Sequence, residues 1–146
     1  MRGSLARSAR AAALGTITAV ALMLAVGGTA WAASPGHRLW ARIYDGPANG
    51  PDGPTAIAVS PDSSDVYVTG SSSSNLVGQD AVTIAFDPDG GTMWRARYDG
   101  PAHYEDGGAD IGVSPDSSAV YVTGSSSSNL VGQDAVTIAF DPDGGT

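Results

Sequence analysis

One stretch of this chain is written twice: residues 39–92 align without a gap on residues 93–146, identical at 42 of the 54 positions. The same pattern must therefore fold twice over. A period of this size marks repeat architectures, in which each unit is one supersecondary element that buries its apolar face only against a neighbour. Residues 60–92 depart from 114–146 only where Asp65 becomes Ala119, whereas 49–58 and 103–112 differ freely.

Within a unit, four runs rich in Val, Ile, Thr, Tyr, Phe and Trp, at 55–59, 65–70, 81–86 and 92–98, read as short strands. Ser60-Pro61-Asp62-Ser63 and Asp87-Pro88-Asp89-Gly90 place Ser or Asp first and Pro second, as type I turns prefer, and both read as tight hairpins. Connectors of five (60–64), ten (71–80), five (87–91) and ten (99–108) residues, with no helical period, make the unit an up-and-down antiparallel meander. The expected class is all-β. Val82, Ile84 and Phe86 share one strand face and Ala81, Thr83 and Ala85 the other, and the run 56–59 repeats the scheme. Each sheet thus offers a bulky and a small-residue face, as stacked, interdigitating sheets require. Four-stranded sheets stacked around an axis are the blades of a β-propeller, the expected architecture; a flat sandwich of the two sheets is the alternative. Trp40 and Trp94, each followed four residues later by Tyr44 and Tyr98, fall on one face of the outer strand and are expected to clamp neighbouring blades.

The first ten residues carry Arg2, Arg7 and Arg10, residues 11–26 are uncharged and apolar, and 27–32 close on Ala30-Trp31-Ala32. This three-part pattern predicts a signal helix over 1–32 cut after Ala32, then a linker at 33–38 and the repeat region at 39–146; an uncleaved anchor is the alternative. With no cysteine there is no lipid attachment site and no thiol to mispair outside the cell, so the expected location is extracellular or cell-surface, without membrane attachment after cleavage. Beyond residue 10 only 4 arginines stand against 15 Asp and Glu, and there is no lysine. A body that acidic repels phosphate backbones, which excludes nucleic acid as a partner.

Catalytic patterns are absent: no Gly-x-Ser-x-Gly elbow, no cysteine nucleophile, no His-Glu-x-x-His, and only His37 and His103 as histidines. A binding or structural role is therefore expected rather than an enzymatic one. Successive connections in a meander alternate ends, so both ten-residue connectors emerge together on the candidate binding face. Its candidate ligand-binding residues are Asp52, Asp80, His103, Glu105, Asp106 and Asp134, facing a protein or glycan. Glu105, Asp106 and Asp110 offer hard oxygens to calcium, without EF-hand spacing; no other cofactor is expected. The serine runs 71–74 and 125–128 read as polar loops.

Ile57-Ala58-Val59-Ser60-Pro61-Asp62, Val66-Tyr67-Val68-Thr69-Gly70, Asp80-Ala81-Val82 and Asp87-Pro88-Asp89-Gly90 with Trp94 together resemble the secreted bacterial β-propeller repeats. The SBBP repeat family is the nearest likeness, and Ser-Pro-Asp followed by Val-Tyr-Val-Thr is also similar to the surface-layer YVTN repeat. The likeness covers 39–146 and implies a propeller fold with no assigned activity. Ser63-Ser64 departs from it, since these repeats usually carry Gly there, and so does the unit count, because closed rings need about four to eight blades. Residues 39–44 read as an outermost strand without its blade. Two-blade chains assembling among themselves close only even rings, of about six or eight blades. The alternatives are a piece of a longer propeller without independent function, or a piece of a propeller enzyme with a calcium or carboxylate site.

Overall fold

The computed structural model describes residues 36–74, 78–129 and 132–144. The expected signal segment, and the start of the linker, lie outside them. Every regular element described is a strand: β1 (Asp52–Val59), β2 (Val66–Ser73), β3 (Gln79–Phe86), β4 (Thr92–Tyr98), β5 (Asp106–Val113), β6 (Val120–Asn129) and β7 (Gly132–Phe140). No described helix is long and apolar enough to cross a membrane. The chain is all-β, with one antiparallel sheet in the order β1-β2-β3-β4 and a second in the order β5-β6-β7. The copies repeat even their irregularities: the ladder shifts at Pro54/Ala56 in one sheet and at Gly108/Asp110 in the other.

Three sequence expectations need correction. The serine runs are not loops. Ser71–Ser73 continue β2, and Ser125–Ser128 continue β6; Ser72, Ser126 and Ser127 are buried, and the Ser72 and Ser126 hydroxyls lie so close against Gly46 and Gly100 that only a small side chain fits. The connections are correspondingly shorter, five residues (74–78) between β2 and β3 and seven (99–105) between β4 and β5. Residues 39–44 form no strand, since no described strand lies beside them to pair with, although their side chains are anchored as described below.

Alternation decides the packing, as the sequence suggests. In register, Tyr67 lies opposite Ala58 and Ala85, Thr69 opposite Thr83, and Ala85 opposite Trp94, so these residues share the small face of the first sheet. That face meets the bulky face of the second: Tyr67 and Ala85 form one buried cluster with Ile111, Val120, Val122 and Phe140. The other two faces remain open. Val82, Ile84 and Phe86 are sheltered beside Tyr44, but Ile57 is 66% and Val59 54% exposed. On the far side Tyr121 is 49% exposed, whereas its equivalent Tyr67, beneath the second sheet, is 1% exposed. The lone difference between residues 60–92 and 114–146 has a partner here: Tyr67 donates its hydroxyl hydrogen to Asp65, where the exposed Tyr121 has Ala119.

The expected tryptophan clamp between neighbouring sheets is made by Trp94, whereas Trp40 touches the first sheet alone. Trp94 sits between the Tyr67 and Phe140 rings, at centroid distances of 5.9 and 5.5 Å, and its indole N–H donates to Pro142 O at 2.6 Å. Shifted by one period, Trp40 packs on Phe86 at 5.9 Å and donates to Pro88 O at 3.0 Å. Both rings lie flat on a glycine with positive φ, Gly144 and Gly90, where a Cβ would approach to 2.7 Å. Residues 40 and 44 therefore cover the first sheet as β4 covers the second.

Candidate functional site

Antiparallel order brings the starts of β1, β3, β5 and β7 to one end of the molecule, together with the connection from β4 to β5. All six candidate ligand-binding residues belong to that end. Asp52 and Asp106 begin β1 and β5, Asp80 and Asp134 lie near the starts of β3 and β7, and His103 and Glu105 lie in the β4–β5 connection.

The structure draws only some of them together. One carboxylate oxygen from each of Asp80, Asp99 and Asp106 lies within 4.8 Å of the others, across the junction of the two sheets. Asp80 and Asp106 are 4% and 3% exposed; Asp99 is at the surface. Asp80 Oδ2 accepts from Arg97 Nε, and the same guanidinium donates to Ser72 Oγ (3.1 Å), Ser72 O (3.2 Å) and Ser73 O (2.7 Å). Burial works against the Arg97 charge, but the Asp80 hydrogen bond and charge outweigh it, and its pKa rises. Asp106 Oδ2 accepts from the Gly100 amide at 2.8 Å, and Asp99 Oδ2 lies 2.6 Å from His103 Nδ1. The remaining oxygens, Asp80 Oδ1 and Asp106 Oδ1, are buried and accept no hydrogen bond.

The other candidates stand apart. Asp52 repeats the Asp106 arrangement one period earlier, accepting from the Gly46 amide at 2.8 Å, and that bond, followed by the Ser72 hydroxyl, holds its carboxyl below the usual range. Asp134 is exposed although its equivalent Asp80 is buried, because no strand among the described residues flanks β7 as β4 flanks β3. Glu105 is exposed and, with Gln79, Asp106 and Gln133, lines a polar cleft of about 360 Å³ between the sheets. Asp110 points elsewhere: it accepts from its own neighbour's amide, Ile111 N, at 2.9 Å. The expected calcium set of Glu105, Asp106 and Asp110 therefore contributes one member, Asp106, to the acidic cluster. Asp99 lies on the expected binding face but, like Arg97, is not among the six candidate residues. The strand register, which sets Ala81 opposite Tyr98, is the signal that connects them to Asp80. No protein-family model and no curated protein matches this chain.

Proposed function

We propose that the chain is a secreted repeat module of the β-propeller type, with a structural or binding role rather than a catalytic one, and that it works by stacking its two open sheet faces with further copies of itself. The observation carrying this reading is the pair of uncovered faces. The bulky face of the first sheet and the small face of the second are the same two surfaces, by sequence, that bury each other at the internal junction. The first sheet's open face also borders a mainly apolar cleft of about 300 Å³ lined by Trp40, Tyr44, Ile57, Val82, Ile84 and Phe86.

A second copy placed one period along sets its β5-β6-β7 sheet on that face. Residues 39–44 of the first copy then lie along the free edge of β7, as β4 lies along β3. Such a contact is head-to-tail, and heterologous contacts close into rings when the rotation allows. Two sheets per chain give even rings, and the polar cleft with its variable β4–β5 connection is where a protein or glycan ligand would sit. Light scattering after size exclusion of the chain recovered from the culture medium tests the reading. A discrete trimer or tetramer is expected; a monomer at every concentration up to the millimolar range would overturn it.

A further inference from the structure

We infer that Asp80, Asp99 and Asp106 form a divalent-cation site, selective for calcium, that pins the second sheet to the first. Three carboxylates converge at this point; Arg97 pairs with Asp80 and the His103 imidazole lies against Asp99, which leaves the cluster net negative. Calcium binds oxygens at about 2.3–2.6 Å, so two oxygens on one ion are separated by at most about 5 Å. The three here fall within that limit, at 4.8 Å or less. Magnesium holds its ligands at about 2.0–2.1 Å and keeps several waters, which suits it less to three protein carboxylates on separate strands and loops.

Charge clustering alone would describe many acidic surfaces. The independent observation is the pair of orphaned oxygens. Asp80 and Asp106 are each more than nine-tenths buried, and one oxygen of each accepts nothing from the protein. Arg97 and the Gly100 amide take Oδ2 of Asp80 and of Asp106, and Ser72 is engaged by Arg97; Asp52 Oδ1, one period before Asp106, is likewise buried without a donor but lies outside the three-carboxylate cluster. A buried carboxylate oxygen without a donor is destabilising, and a cation between the two satisfies both at once. Asp99, at the surface and next to Gly100, closes the set from the solvent side and gives the ion its route in. The ligands come from β3, the β4–β5 connection and the first residue of β5, so the ion ties both sheets together.

The test is terbium luminescence and calorimetric calcium titration of the full chain, beside thermal unfolding with calcium, with magnesium and with chelator. One ion per chain is expected, with Kd on the order of 10⁻⁴ M as in extracellular calcium modules. At a hundredfold excess over Kd, calcium should raise Tm by roughly 10 °C. The surface variant Asp99→Asn should fold as the parent does and weaken calcium binding about tenfold or more, while Asp110→Asn should leave it unchanged. Absence of binding at 10 mM calcium, an equal response to magnesium, or an Asp99→Asn chain that binds like the parent would each overturn the assignment.

Discussion

Tyr67 and Tyr121 occupy the same position in near-identical sequence, yet one is 1% and the other 49% exposed. Replacing each by alanine therefore isolates what the sheet junction contributes. A fully buried aromatic removes about 150–250 Å² from water, which at about 25 cal/mol per Å² stabilises by about 4–6 kcal/mol. Tyr121 retains about half of that, and it lacks the ring partner that Tyr67 has in Trp94, a contact that adds about 0.5–1.5 kcal/mol. Tyr67→Ala should thus cost at least about 2 kcal/mol more than Tyr121→Ala. Urea unfolding of the dilute chain, followed by tryptophan fluorescence, would separate the two midpoints by about 1 M at unchanged slope. Should Tyr67→Ala fail to fold, Tyr67→Phe, which removes only the hydroxyl bonded to Asp65, should still cost about 1 kcal/mol where Tyr121→Phe costs nothing measurable. Equal losses in the dilute chain would refute the packing described. In concentrated, assembled chain the gap should close, because stacking buries Tyr121 as the second sheet buries Tyr67.

Gly90 carries Trp40 at φ +80°, so Gly90→Ala adds about 1–2 kcal/mol of left-handed strain to a clash with the ring, and Tm should fall by several degrees in calorimetry. Ser63 and Ser117 adopt φ of 61° and 57°; Ser63→Gly relieves about 1–2 kcal/mol of strain against about 0.5–1 kcal/mol of added unfolded-chain entropy, so a small rise in Tm is expected. Burial, followed by the Asp65 hydrogen bond, pushes the Tyr67 hydroxyl up to about 12, so its contribution to stability is complete below about pH 10 and should be lost between about pH 10 and 12, with a smaller loss in Tyr67→Phe. At the acid end, hydrogen bonds from the Ser114 and then the Ser118 hydroxyl hold Asp116 down to about 2, so its contribution should fade only as pH falls from near 4 towards 2.

The strands and their antiparallel order could be read from the apolar runs and the turns between them, and the stacking of a bulky on a small face from residues 81–86, because alternation has period two and neither face is charged. The tryptophan clamp was legible for the same reason. The serine extensions of β2 and β6 were not: serine is neither β-branched nor aromatic, and Ser72 and Ser126 are covered by backbone distant in sequence, at Gly46 and Gly100. Nor was the acidic cluster. Asp80 is 19 residues from Asp99 and 26 from Asp106, and only the register of β3 against β4, with the second sheet folded onto the first, makes them neighbours. Proximity in sequence instead favoured Asp110, whose strand carries it away from Asp106.

The most direct test of stacking uses the absence of cysteine from the chain. Ile43 is the repeat equivalent of Arg97 and Val136 that of Val82, and Val82 lies opposite Arg97 in the β3–β4 ladder. Stacking therefore sets Ile43 of one copy opposite Val136 of the next. Facing residues in antiparallel strands are about 4.5–5.5 Å apart at Cα, within reach of a disulfide. The chain carrying Ile43→Cys and Val136→Cys, oxidised at the concentration where copies assemble and run without reductant, should give a ladder of covalent multimers ending at the ring size. A monomer with two free thiols, under conditions in which Thr83→Cys and Ala96→Cys join within one chain, would contradict stacking.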